Sequence, residues 1–356
     1  SNQIGDAGAK ALEAALKYLV LSGVSSAFIL FGAALLYADL GTMEFSGMAA
    51  GIGAAESATD TPFVLLGTAL FLAGVAFKLS LVPFHMWTPD VYQGAPAPVT
   101  GFLATISKGA VFAVLLRFFL PAGDFSGGAM FWGFWIVAVA SMIGGNLLAL
   151  MQNNVKRVLA YSSIAHLGYL MIAFLAGGIA GGKALAVEAS LFYLAAYFVT
   201  TLGAFGVLTL LSVGHPEGDV EALEQYEGLF WTRPLLASTF TVILLSLAGI
   251  PLTAGFIAKF YLLAAGVQGG LWWLVGVLVL GSALGLWYYL RIILTMTQGS
   301  AEDAPPIVGQ PNEGVSVPAA GTAVMVLLSI TLVVLGVYPG PLIELISAVV
   351  GSIKWF

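Results

Sequence analysis

Cysteine is absent from this chain of 356 residues, and histidine occurs only three times. Without thiolates an iron–sulfur cluster held in the usual way is excluded, and a haem or zinc site built from several imidazoles has too few ligands to draw on. Charge is also scarce. Asp, Glu, Lys and Arg make up 8% of the residues, against roughly a quarter in an ordinary soluble domain, so a water-soluble globule is excluded. The formal net charge of -6 is scattered without a basic run, which removes the footprint of nucleic-acid binding and of polybasic lipid recognition. The chain is expected to hold no cofactor or metal of its own and to meet other membrane helices and lipids.

What is abundant is apolar. Hydrophobic residues reach 60%, glycines number 44, and the mean hydropathy is +0.99. Stretches long enough to cross about 30 Å of hydrocarbon need roughly 20 residues. Nine fit: Ala11 to Ala38, Pro62 to Phe84, Pro98 to Leu120, Ala129 to Met151, Val155 to Leu175, Val187 to Ser212, Pro234 to Val267, Leu271 to Met296 and Pro318 to Val337. The alternation of a barrel strand is missing, and backbone groups in lipid must be paired within the segment, so the fold class is all-α, a polytopic transmembrane bundle. Ser1, Asn2 and Gln3 open the chain without an initiator Met or a signal-peptide pattern, and the sequence reads as a fragment of a longer protein.

Cations set the orientation. Lys10, Lys156, Arg157, Arg233 and Arg291 share one side, while Arg117, Lys183 and Lys354 fall near the other, which puts the N-terminus inside. The loop from Asp39 to Thr61, with Glu44, Glu56 and Asp60, then faces outward. Asp219 to Trp231 reads as a short surface helix with Val220, Leu223, Tyr226 and Phe230 on its apolar face.

A faint inverted repeat accompanies this topology. Leu79-Ser80-Leu81-Val82-Pro83 in the second span and Leu245-Ser246-Leu247-Ala248-Gly249-Ile250-Pro251 in the seventh each pair a proline break with a nearby Lys, and the two run in opposite directions. Two broken helices in inverted repeats are the pattern of ion-conducting folds, because a break exposes backbone dipoles at mid-depth. The expected units are 1–120, the end of a first repeat with three spans; 121–298, a second repeat with five; and 299–356, a loop and a C-terminal span.

The candidate relay residues are those whose placement in lipid is costly. Lys108 lies near the bilayer midplane, where an ammonium costs at least about 2.5 kcal/mol and a neutral amine becomes accessible, so it can take up and release protons. Lys78 precedes Pro83 by five residues, and Lys259 follows Pro251 by eight. Each is placed to face a water-lined cavity or simply to satisfy carbonyls freed by the break. His166, about ten residues inside the fifth span, can relay protons or serve only as a hydrogen-bonded packing residue. Tyr161, Ser162 and Ser163 beside it offer hydroxyls. His85 and Asp90 are further candidates, as a proton inlet at the inner end of the second span, unless that segment is an interfacial turn anchored by Trp87 and Tyr92. Glu13 and Lys17, one turn apart, form a structural pair. Arg117 and Arg291 lie close enough to span ends to snorkel, and Lys183 and Glu188 are expected to face water.

Phe77 to Pro98, Tyr161 to Tyr169 and Leu245 to Tyr261 closely resemble the antiporter-like subunits of bacterial NADH:quinone oxidoreductase (respiratory complex I), a family shared with multisubunit cation/proton antiporters. The Tyr92-Gln93-Gly94-Ala95-Pro96 segment looks like the subunit N branch rather than branches L and M. The resemblance implies a fourteen-helix protein with two inverted five-helix repeats, of which this chain would supply helices six to fourteen. It implies a translocase subunit without a redox centre, in a bacterial inner membrane. NADH, FMN, iron–sulfur clusters and quinone would lie in other subunits, and the neighbours would be subunit M and small subunits such as K and J. By motif, Lys78 matches the Lys of the first broken helix, Lys108 the connecting Lys, Lys259 the Lys of the second broken helix and His166 the His of the family's tenth helix. The family's Glu that pairs with the Lys at position 78 has no match in this sequence. The rivals are a subunit of a cation/proton antiporter, using the same lysines without redox chemistry, and a structural spacer.

Overall fold

The computed structural model of the chain describes residues 2–57, 62–122, 126–213, 218–299 and 318–352. Asp60, Lys354 and the side chain of Glu56 lie outside the described residues, as does most of the segment between the last two long helices.

Helices make up most of the described chain, with one isolated bridge between Asn154 and Ala222. In order they are α1 (Asn2–Leu40), α2 (Phe45–Ser57), α3 (Pro62–Leu79), α4 (Trp87–Gly94), α5 (Ala97–Phe119), α6 (Ala129–Leu150), α7 (Val155–Gly177), α8 (Lys183–Leu211), α9 (Pro234–Ala248), α10 (Ala254–Gln268), α11 (Trp272–Thr297), α12 (Ala319–Val337) and α13 (Gly340–Ser352). Among the described residues eight helices are long and apolar enough to cross a membrane, so the protein is a multi-pass helical bundle. The expected seventh span is present as two 15-residue helices, α9 and α10, on either side of the break. The second stops at Leu79, short of the expected Phe84, and resumes as the eight-residue α4.

Both breaks have local causes. After α3, Ser80 takes a left-handed φ of 60°, and the freed Phe77 carbonyl accepts bonds from Ser80 N at 2.9 Å and Trp87 Nε1 at 3.1 Å. Val82 N is held by Ser141 Oγ of α6 at 3.0 Å. After α9, Gly249 at φ +83° ends the helix and Pro251 prevents its continuation.

The centre of the bundle is α7. Every residue of Val155–Gly177 except Arg157 is buried, and Asn154 caps its start by accepting a bond from Arg157 N at 3.0 Å. Packing around it relies on glycine: a Cβ on Gly145 of α6 would come within 2.7 Å of Ala165 N, so the α6 and α7 backbones touch directly.

Three expectations about the periphery change. The loop after Asp39 contains helix α2. Asp219 to Trp231 is not one amphipathic helix but a 3₁₀ turn, Leu223–Tyr226, and a four-residue helix, Leu229–Thr232, separated by the left-handed Gly228. Glu188 is half-buried and accepts a bond from Ser347 Oγ of α13 at 2.9 Å, so it ties down a helix the hydropathy pattern did not reveal.

Candidate functional site

The polar interior begins on α5. A π-helical turn at Leu103–Ser107 immediately precedes Lys108, and such a turn inserts an extra residue that re-aims the side chains after it. Gly109 follows, where a Cβ would collide with the Phe198 ring, so α5 lies close to α8 at this level. Lys108 is 1% exposed. Its Nζ donates to Ser163 Oγ of α7 at 2.7 Å and lies 5.5 Å over the Tyr92 ring.

From Ser163 the contacts continue along α7. Its Oγ is 2.6 Å from Tyr197 OH. One turn on, His166 Nδ1 is 2.8 Å from Tyr193 OH, and its Nε2 is 3.4 Å from Tyr289 OH, which also bonds Ser162 Oγ. The His166 and Tyr197 rings lie 5.5 Å apart, so the two hydrogen-bonded groups are neighbours. Another turn on, Tyr169 OH accepts from Asn146 Nδ2 at 2.8 Å, and Tyr288 OH donates to Asn146 Oδ1 at 3.1 Å.

The far end is Lys259 of α10. Its Nζ donates to the Ala248 carbonyl freed by the second break, at 2.7 Å, and sits 5.5 Å over the Tyr169 ring. A cavity of about 10 Å³ between His166, Tyr193, Tyr197, Ser246 and Lys259 is at the lower edge of the roughly 10–15 Å³ needed to admit one water. Three of the sequence candidates, Lys108, His166 and Lys259, are therefore assembled around one face of α7. The tyrosines that join them were not singled out in the sequence, because a buried aromatic at helical spacing has the pattern of ordinary core.

The other candidates stand apart. Lys78 lies half-buried in the last turn of α3 and, among the described residues, makes no hydrogen bond or ion pair. His85 lies in the turn between α3 and α4, and burial pulls its imidazole below the ordinary value. Among the described residues no hydrogen bond joins it to Asp90. Its carboxylate is held by Lys17 at 2.7 Å and Arg157 at 2.9 Å, and Lys17 also pairs with Glu13 at 2.6 Å. Burial alone would raise Asp90, but those two cations outweigh it and hold the carboxyl below its usual value. Trp87 and Tyr92 are buried rather than interfacial, Trp87 stacking on Phe77 with ring centroids 5.1 Å apart. Arg117 lies over the Phe45 ring at 5.4 Å, and Arg291 binds the Leu150 and Gln152 carbonyls at the end of α6. Among the described residues no three His, Asp or Glu side chains come together in a form that could hold a metal.

The fold and this polar interior define a class of membrane protein, and sequence comparison places the chain within it: the chain belongs to the NADH:quinone oxidoreductase/Mrp antiporter transmembrane family, whose model matches residues 4–285. It is similar to NADH-quinone oxidoreductase subunit N of Ectopseudomonas mendocina (strain ymp), 52% identical over 341 residues that cover 95% of this chain and 66% of that protein. The chain thus spans just under two thirds of the length of that curated relative. In structure it is similar to a chain of respiratory complex I from Thermus thermophilus, with TM-score 0.73 and 35% identity over 94% of this chain and 69% of that one. It shares its fold with a chain of the Mrp complex from Dietzia sp. DQ12-45-1b, with TM-score 0.77 and 24% identity over 96% of this chain and 68% of that one.

Proposed function

We propose that this chain is a proton-translocating membrane subunit of an NADH:quinone oxidoreductase, coupling quinone reduction elsewhere in the complex to proton movement through buried lysines. The observation that carries the reading is the row of buried polar groups along α7: Lys108 bonded to Ser163, which meets Tyr197, His166 bonded to Tyr193 and Tyr289, and Lys259 across a small cavity from His166. Lys108 is the central relay, His166 the intermediate group and Lys259 the terminal exchange site. Lys78, which makes no ion pair among the described residues, is the group that responds to an approaching or departing carboxylate, and His85 is an additional proton carrier at the inner end. The relatives above support the redox-linked form of the reading. One charge moved across 100 mV costs about 2.3 kcal/mol, comparable to the energy of making or breaking one charged hydrogen bond of about 1.5–3 kcal/mol.

In this reading residues 1–120 close a first repeat, 121–298 form a second and 299–356 supply the connecting loop and C-terminal helices. The N-terminus faces the cytoplasm across the bacterial inner membrane. NADH, FMN, iron–sulfur clusters and quinone belong to other subunits, and the neighbours are the antiporter-like subunit M and small subunits such as K and J. The test is Lys108→Met in the complete complex, assayed for NADH-driven proton pumping in membrane vesicles. Loss of pumping is expected. Unchanged proton stoichiometry in a fully assembled complex overturns the assignment, and pumping that follows a sodium gradient rather than NADH points to an antiporter instead.

A further inference from the structure

Among the described residues, the relay leaves one fully buried cation unused. Lys156, in the first turn of α7, is 1% exposed. Its ammonium has three acceptors: Asp219 Oδ2 at 2.9 Å, Gln93 O at 2.9 Å and Ala95 O at 2.6 Å. The same Asp219 oxygen accepts from Ala97 N at 2.8 Å. Gln93 and Ala95 lie at the C-terminal end of α4, and Ala97 is the first residue of α5. The cation thus meets the negative end of one helix and the carboxylate meets an unpaired amide at the positive end of the next, so both charges complement the backbone at a single junction.

That junction has a geometric consequence for the site. Lys156 and Ser163 are seven residues apart on α7, two turns and about 10 Å along the same face. Ala97 and Lys108 stand on the partner helix, and Tyr92, whose ring underlies the Lys108 ammonium, is one residue before Gln93. The α5–α7 pair is therefore fastened at its end by Lys156 and Asp219 and met in its middle by Lys108 and Ser163.

We infer that Lys156 and Asp219 are positioning residues: the ion pair clamps the α4–α5 junction to α7 and so sets Lys108 against Ser163 and Tyr92. This rests on the relay reading, and neither residue carries a proton in it. Removing one partner of a buried pair leaves an uncompensated charge, whereas removing both is far less harmful to folding, which separates positioning from stability.

The test compares Lys156→Met, Asp219→Asn, the double variant and Lys108→Met in the complete complex. Assembly is followed by native electrophoresis, and NADH oxidation and proton uptake are followed in vesicles. The double variant is expected to assemble at near-normal levels and to oxidise NADH, yet to pump about tenfold less per NADH, since an ångström of misplacement can cost up to about 100-fold. Normal pumping by the assembled double variant overturns the inference, as does failure of all three Lys156 and Asp219 variants to assemble, which marks the pair as a folding element. If Lys108→Met also pumps normally, it is the relay reading that has failed; if Lys108→Met alone stops pumping, only the positioning role falls.

Discussion

Gly249→Ala tests the second break directly. Gly249 has φ +83°, and a Cβ there would lie 2.8 Å from Lys259 Cδ and 3.1 Å from its Nζ. An alanine forced into the left-handed region costs about 1–2 kcal/mol. Carbon atoms in contact sit about 3.5–4 Å apart, so the Lys259 chain must retreat by about 0.7 Å or more, pulling its ammonium from the Ala248 carbonyl. A hydrogen bond from a charged group contributes about 1.5–3 kcal/mol, so the loss at Lys259 alone corresponds to about 10- to 150-fold. Gly41→Ala is the control. It also has positive φ, +69°, but nothing lies within 4 Å of its added Cβ, so it carries the backbone strain without touching a lysine. NADH-driven proton pumping in vesicles, divided by the amount of assembled complex, should stay near wild type for Gly41→Ala and fall at least about tenfold for Gly249→Ala. Equal pumping per complex in the two variants refutes the argument that Lys259 must rest on that carbonyl.

Ser163→Ala removes the hydroxyl shared by Lys108 and Tyr197, and pumping should fall about tenfold; Ser190→Ala, whose hydroxyl bonds only the Ala186 carbonyl at 2.7 Å among the described residues, should change it less than about twofold by the same measure. Gly145→Val drives a side chain into the Ala165 and Tyr161 backbone, at 2.7 and 2.8 Å from the Cβ, whereas Gly144→Val meets only a Val82 methyl at 3.9 Å; native electrophoresis should show assembly lost in the first, by overpacking of about 1–3 kcal/mol or more, and kept in the second. Because Asp90 is held below its ordinary value by Lys17 and Arg157, its contribution to stability is full above the unfolded value of 3.8 and disappears as pH falls through the lower folded value. With a side chain 37% exposed, that contribution is under about 1 kcal/mol. Thermal unfolding of wild type and Asp90→Asn should differ slightly at neutral pH and converge below 3.8, and a difference that instead grows with acid contradicts the ion cluster.

The helical architecture was legible because hydrocarbon imposes length and apolarity on each span, and the two breaks were legible because Pro83 and Pro251 stand beside lysines in otherwise apolar windows. Lys108, His166 and Lys259 stood out for the same reason: a polar group in such a window is costly and therefore conspicuous. Tyr193, Tyr197, Tyr288, Tyr289 and Asn146 were hidden because most of each tyrosine ring is hydrophobic and a single amide is unremarkable, so only the folded arrangement distinguishes a bridging hydroxyl from core. The π-helical turn before Lys108 leaves no periodicity signal in five residues. Lys156 and Asp219 lie 63 residues apart, and a Lys at a span end speaks only to orientation until the fold covers it. Glu188 misled in the same way, its nearness to a span end suggesting water where α13 in fact closes over it.

The encasement of α7 bears on how such a protein moves. A rod in contact with neighbours on every side cannot slide, tilt or spin without displacing all of them, because close-packed interiors resist gradual deformation. It serves as a fixed axle. In the proposed transport cycle, rearrangements therefore fall to rotamer changes along it and to the helices around it.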